Sequence, residues 1–410
     1  MMPLVTFVVG TVPDIIKSID VARELATNGL SVSIYDTLQN RSDEFDRHRD
    51  VRIIRSSVVR AECRDDLDWV ASCAAEIAEL CGDLVVVQGD TYSALAGAHG
   101  AVRAGAALAH IEAGLRSHDP LSPFPEEMNR VFIDTQSDLL FCATRTDLDD
   151  LCATASVADK KSFVVGNTVC DPIFQHRDQL ASAATWPNGV LVSLHRRENY
   201  RHRELILKSL ARLIASFPET EFRLLKRGLL AASEAADFGA NATMIGLTEH
   251  LHFLEMLTGS QIAICDSGGI LEEAVTLGVP VVCLRRTLER GRLVEGVDCI
   301  DPADVEGPQL PRLIERLLSR QRGGRGPLRE TFGDGQSAKR IATLILDHLN
   351  DSGVRDAKGR TDPDRDQQGI LVPFARSRTA ESPGLVKDLR TGQRSGRFTA
   401  AASGADACDS

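Results

Sequence analysis

Short apolar runs recur along this chain, each ending at a polar or glycine-containing turn and followed by a helical pattern. In the first part of the sequence the runs are residues 5–9, 31–34, 84–87, 107–111, 139–142 and 163–165, with helical stretches at 14–28, 67–80 and 93–104. Runs that are apolar throughout, not alternating, suit strands covered on both faces. Strands that alternate with helices build a parallel sheet with helices on each side. After the polar stretch 185–188 the rhythm restarts, with runs at 190–193, 222–225, 243–245, 262–265 and 280–284. The expectation is therefore an α/β chain of two doubly wound, Rossmann-like domains, residues 1–173 and 187–350, with a central cleft. Residues 337–349 read as a last helix with Ile341, Leu344, Ile345 and Leu349 on one stripe, free to pack back on the first domain.

Residues 351–410 differ in character. They are rich in Gly, Pro, Ser, Asp and Arg, with ten Lys and Arg against nine Asp and Glu. They read as a disordered tail, and their apolar patch at 369–374 as a chance cluster. The rest of the chain has ample apolar content for two full cores, 43% of 410 residues overall. A net charge of −11 argues against a nucleic-acid or anionic-membrane partner. No apolar run approaches the roughly 20 residues of a membrane span. The opening MMPLVTFVVG lacks a basic leader region and reads as a first strand, not a signal peptide. No two of the ten cysteines have the spacing of a zinc or redox pair, so free thiols in a reducing cytoplasm are expected.

Several strand ends carry chemistry. Residues 109–130, AHIEAGLRSHDPLSPFPEEMNR, bring Glu112, Arg116, Glu126, Glu127 and Arg130 into a short span. Carboxylates leaving a strand end and opening a helix can converge on one cleft for acid–base work, with arginines to hold an anion. A plainer reading of Glu126 and Arg130 is an ordinary helical ion pair four residues apart. QGDT at 88–91, LHRREN at 194–199 and DSGGILEE at 266–273 each follow a strand. In open α/β sheets that is where ligands bind. Asp90 also suits a helix cap. His195 suits either a cleft residue near neutral pKa or a structural loop histidine. Gly268 and Gly269 would let backbone amides at a helix start approach a phosphate.

Taken in order, HIEAGLRS, PEEMNR, HRREN and DSGG…EE, with GNTV at 166–169, LGVPV at 277–281 and GDGQ at 333–336, resemble the non-hydrolysing UDP-N-acetylglucosamine 2-epimerases. The resemblance runs from about residue 5 to residue 349. It implies a GT-B-like fold, with the second domain holding UDP. It implies interconversion of UDP-GlcNAc and UDP-ManNAc by elimination and re-addition of UDP with proton exchange at C2. It carries catalytic roles onto Asp90, Glu112, Glu126 and His195. UDP-sugar contacts fall on Lys17, Arg130, Ser267, Gly268, Gly269, Glu273 and Arg290. It further implies no cofactor, no metal, a cytoplasmic location and a homodimer.

The chain departs from the family pattern in places. Val12 stands where an arginine is expected, and the change removes a charge and five donors. Between residues 50 and 83 the expected glycine–glutamine pair is missing. Lys226, Arg227 and Gly228 replace a proline–valine–histidine, and Leu271 replaces a glutamine. A hydrolysing epimerase releasing ManNAc and UDP, a GT-B glycosyltransferase, and an inactive nucleotide-sugar-binding homologue stay open on the sequence alone.

Overall fold

The computed structural model describes residues 3–351 except 41–46, 49, 155, 158–159, 184–185, 187–188, 247, 287, 290–293, 295 and 320–327. The expected tail, with its patch at 369–374, lies outside the described residues, as does Arg290.

The first sheet has seven strands: β1 (Leu4–Val9), β2 (Ser31–Asp36), β3 (Arg52–Arg55), β4 (Leu84–Gln88), β5 (Ala107–Ile111), β6 (Leu139–Cys142) and β7 (Lys161–Val164). Their order is β3-β2-β1-β4-β5-β6-β7, and every pairing is parallel. The second sheet contains β8 (Gly189–Ser193), β9 (Glu221–Leu225), β10 (Ala242–Ile245), β11 (Ile262–Cys265), β12 (Val281–Leu284) and β13 (Val297–Ile300). It repeats the pattern in the order β10-β9-β8-β11-β12-β13, again all parallel. Each sheet therefore reverses its winding once, between β1 and β4 and between β8 and β11. Loops part to opposite faces at such a switch point and leave a crevice beyond the strand ends.

The helices are α1 (Val12–Thr27), α2 (Asp66–Leu80), α3 (Tyr92–Ala104), α4 (Glu126–Gln136), α5 (Arg145–Cys152), α6 (Asp171–Gln175), α7 (Arg177–Ser182), α8 (Arg203–Ser216), α9 (His250–Gly259), α10 (Gly268–Thr276), α11 (Gln309–Ser319) and α12 (Ser337–Asp351). None among the described residues is long and apolar enough to cross a membrane. Their starts are set locally. Thr11 caps α1 in a reciprocal box with Asp14, Thr91 caps α3, and Ser267 caps α10. α3 stops at Gly105, whose φ of +67° is the left-handed turn that glycine favours.

The residue pattern does not mark two of the strands, β3 and β13. Both are edge strands. β3 is a two-residue apolar core between arginines and β13 carries Asp298, so neither shows a buried apolar run. The final helix leaves the second sheet and packs on the first. Ile341, Ile345 and Leu349 join Ile15, Ile19 and Leu25 of α1 in one buried cluster with β1 and β4 side chains. Asp171 accepts the Ser337 and Ala338 amides at 3.2 and 2.7 Å, fixing where α12 begins. Ile345→Ala should lower unfolding free energy by about 2–5 kcal/mol, as a fully buried isoleucine does on truncation. Urea unfolding of the two chains measures it, and a loss under about 1 kcal/mol would mean that α12 contributes little to this core.

Candidate active site

The strand ends at the first switch point deliver the acidic residues. β4 runs into Gly89, at φ +66°, and then Asp90. β5 runs into Glu112, a non-glycine residue at φ +72°. That conformation costs energy and persists only where the surroundings enforce it. Here the Glu112 and Ala113 amides both donate to the Phe141 carbonyl, at 3.0 and 3.1 Å. The turned carboxylate accepts from Lys17 Nζ at 2.8 and 3.0 Å and from Gln88 Nε2. Lys17 is itself buried on α1. The start of that helix is anchored by Asp14, which accepts the Gly10 and Thr11 amides at 3.1 Å and the Thr91 hydroxyl at 3.3 Å. Burial pushes the Asp14 carboxyl up to about 7, against the pull of those hydrogen bonds and of Lys17.

α4 opens directly after Pro125 with Glu126. Arg130, one turn later, is buried and bonds the Asp90 carboxylate. It also donates to Glu127 Oε2 at 3.1 Å and lies 3.5 Å from Glu289 of the second domain. Glu289 is in turn paired with Arg285 at 2.7 Å. The ordinary Glu126–Arg130 ion pair open on the sequence does not form. Arg130 turns to Asp90, Glu127 and Glu289 instead, and Glu126 Oε2 is buried with no hydrogen-bond partner among the described residues. Burial first, and the nearby Asp90 carboxylate second, push Glu126 above the ordinary carboxylate range. The second domain's Arg196 and Glu198 also act on Glu126, so this group faces across the cleft.

The second switch point supplies cations, amides and an imidazole. Asp266, at the end of β11, accepts the His195 amide at 2.9 and 3.0 Å, the Arg196 amide at 3.0 Å and Asn199 Nδ2 at 3.1 Å. One buried carboxylate thus organises the HRREN loop after β8. Arg227 donates to His195 Nδ1 at 3.2 Å and to Ser193 Oγ at 3.1 Å. A guanidinium can only donate, so Nδ1 is the bare nitrogen and a neutral ring carries its proton on Nε2. Burial, then the Arg227 and Arg196 charges, push this imidazole well below its ordinary range. Next to it α10 begins at Gly268, where an added Cβ would meet nothing within 4 Å. At Gly269 the nearest atom would be Ser267 Oγ at 4.0 Å. Free amides and the positive end of the helix dipole therefore border open space. Glu273, one turn on, is buried and holds His250 Nε2 at 2.6 Å.

Lys17, Asp90, Glu112, Glu126 and Arg130 thus lie at one end of the first sheet, and His195, Ser267, Gly268, Gly269 and Glu273 at the matching end of the second. Arg116, grouped by sequence with the cleft cations, is instead buried beside Asp134 at 2.7 Å. Arg227, Asp266, Glu289 and Arg285 also bond the groups of this site, and the residue pattern alone does not single them out. For Asp266 the signal was present, since it opens the DSGG turn.

A family model described as UDP-N-acetylglucosamine 2-epimerase matches residues 67–346. The chain belongs to this family. An epimerase of Methanococcus maripaludis is 29% identical over 371 residues, spanning 83% of this chain and 97% of its own. The UDP-N-acetylglucosamine 2-epimerase of Escherichia coli K12 is 32% identical, over 66% of this chain and 77% of its own. Among solved structures, the Methanocaldococcus jannaschii UDP-GlcNAc 2-epimerase in complex with UDP-GlcNAc and UDP matches with a TM-score of 0.68 at 26% identity, covering 83% of this chain and 99% of that one. The two parallel-sheet domains of this epimerase-family chain have the GT-B-like arrangement.

Arg227→Met should let His195 titrate closer to its ordinary value of about 6.5, because one of the two cations that oppose its protonation is gone. Histidine NMR of both chains from about pH 5 to about pH 8 reads the shift. An unchanged His195 titration would mean that Arg227 does not control this ring.

Proposed function

We propose that the chain is a non-hydrolysing UDP-N-acetylglucosamine 2-epimerase, interconverting UDP-GlcNAc and UDP-ManNAc. The observation that carries the reading is the pairing of unlike carboxyl groups. Glu126 is half-buried, pushed toward its protonated form and has an oxygen without a hydrogen-bond partner among the described residues, while the Asp90 carboxyl is bonded by Arg130. Neighbouring acids in such unlike surroundings are the equipment for moving a proton off one carbon and back.

In the forward direction a carboxylate takes the proton from C2 while the C1–O bond breaks and its electron pair leaves with UDP. The departing diphosphate gains negative charge. The α10 amides of Gly268 and Gly269 and the Nε2–H of His195 would receive it, with Arg290 as a further cation expected from the family pattern. Glu126 is the proton donor in this scheme and Asp90 the acceptor, with the roles exchanged in the return step. Glu112, already ion-paired with Lys17 and bonded by Gln88, orients the sugar as an anion. Glu273 accepts from ribose hydroxyls in place of His250. Re-addition of UDP on a sugar reprotonated at the opposite face of C2 gives the other epimer.

An inactive sugar-nucleotide-binding homologue is the second reading. Val12 favours it, because the partly buried start of α1 offers an apolar side chain where the family pattern has an arginine. Incubation with UDP-GlcNAc separates these readings. The account expects UDP-ManNAc at equilibrium with UDP-GlcNAc and no accumulation of free UDP. Stoichiometric free sugar and UDP would establish the hydrolysing reaction instead. A rise in melting temperature without either product would establish binding alone.

Single substitutions divide the roles. Glu126→Gln and Asp90→Asn should each lower kcat by about 10²- to 10⁴-fold, with UDP affinity nearly unchanged. Glu273→Ala should mainly raise KM, because a ribose contact is equally strong in the ground and transition states. Steady-state kinetics and UDP titration calorimetry read both effects. A Glu126→Gln chain that turns over at the parent rate would remove that residue from the chemistry.

A further inference from the structure

Beneath the proposed carboxylates lies a buried polar cluster that this chemistry does not use. His110, on β5 two residues before Glu112, is fully buried, and so is Asp134 on α4. His110 Nδ1 is 2.7 Å from Asp134 Oδ1, and Nε2 is 2.8 Å from the Gly89 carbonyl oxygen. Asp134 Oδ2 is 2.7 Å from Arg116 Nη2 and accepts the Gly114 amide at 3.3 Å.

Both partners of the ring are acceptors. A carbonyl oxygen cannot donate, and a carboxylate held by a guanidinium has no proton to give. Burial opposes the charge on Asp134, but its hydrogen bond to His110 and the Arg116 guanidinium beside it hold it below the usual carboxylate range. A neutral His110 would aim a lone pair at one of two oxygens less than 3 Å away. Only a ring with hydrogen on both nitrogens satisfies the geometry.

The charged surroundings agree. Asp134 faces the ring from α4 and Arg116 stands behind Asp134. Lys160, next in charge around Asp134, is tied to the Thr135 and Ser137 carbonyls at 2.7 and 2.6 Å. The register neighbours on β4 and β6 are Val87 and Leu140, which offer no competing proton. From α3, His99 is stacked on Phe132.

We propose that His110 is a standing imidazolium and that the His110–Asp134–Arg116 cluster is the positioning unit of the active site. It joins the three places from which the proposed acids arise. Gly89 immediately precedes Asp90, His110 lies on the strand that ends at Glu112, and Asp134 belongs to the helix that begins with Glu126. One cation–anion–cation chain thus sets their mutual spacing, and an error of an ångström in such spacing costs on the order of 10²-fold in rate. The positioning role rests on the catalytic reading above, whereas the charge on His110 does not.

Two measurements on the full chain test this. Histidine labelled with ¹⁵N, with His110→Gln to assign the signal, should show both His110 ring nitrogens protonated from about pH 6 to about pH 8.5. A ring that becomes neutral in that window would overturn the proposal. Asp134→Asn removes the anion, so His110 should lose its second proton as pH rises. Its kcat should then fall about 10- to 100-fold at the alkaline end and recover as pH is lowered, with KM little changed and no such limb in the parent. A pH profile parallel to the parent's would overturn the positioning role. If Asp134→Asn does not fold, the NMR result on the parent chain decides. Absence of epimerase activity in a parent chain whose His110 is doubly protonated would count against the function and not against the charge state.

Discussion

The active-site end of this molecule depends on one buried guanidinium. Arg130 is almost free of solvent contact and sits among Asp90, Glu127 and Glu289. Removing such a group from water is costly, and the cost is recovered only where several well-placed anions surround it. Those anions come from three elements. Asp90 follows β4, Glu127 shares the helix, and Glu289 follows β12 in the other domain. The same guanidinium therefore fixes the carboxylate proposed as proton acceptor and reaches an anion of the second domain. Glu126, which Arg130 does not pair, is pushed toward its protonated form by burial and by the nearby Asp90 carboxylate.

Around that centre the two sheets contribute different chemistry from the same topology. Each is wound in the same order and opens a crevice at its switch point. The first sheet ends in carboxylates, arranged by a strained turn at Glu112 and by the cap at Asp14. The second ends in a helix start bare of side chains and an imidazole oriented by Arg227. A sugar needs proton donors and acceptors, and a diphosphate needs amides and cations. On the proposed reading, the division of labour between the domains follows the division of the substrate.

Most of this architecture is legible in the residue pattern. The apolar runs are the buried parallel strands, and QGDT, HIEAG, HRREN and DSGG sit at or across strand ends, where most of their polar groups escape the covered faces and buried ones such as His110 have hydrogen-bond partners. β3 and β13 carry no such mark because an edge strand needs no continuous apolar run. Residues whose roles are set across long sequence distances are harder to read. Arg116 looks like a substrate cation in a motif, yet it is spent on Asp134. Arg227 stands in a segment that breaks the family pattern, and only the fold brings it to His195, 32 positions away in sequence. Glu289 sits in a short polar stretch with no periodicity to mark it. Pattern reports which face a residue occupies, but partner choice among buried charges is decided by geometry.

The central claim is that these carboxyl groups exchange the proton at C2 while UDP departs and returns. Incubating the full chain with UDP-GlcNAc in heavy water and following C2 by NMR tests it most directly. The account predicts deuterium at C2 in the UDP-ManNAc formed and, with time, in the recovered UDP-GlcNAc. Epimer formed with the original hydrogen retained at C2 would contradict it.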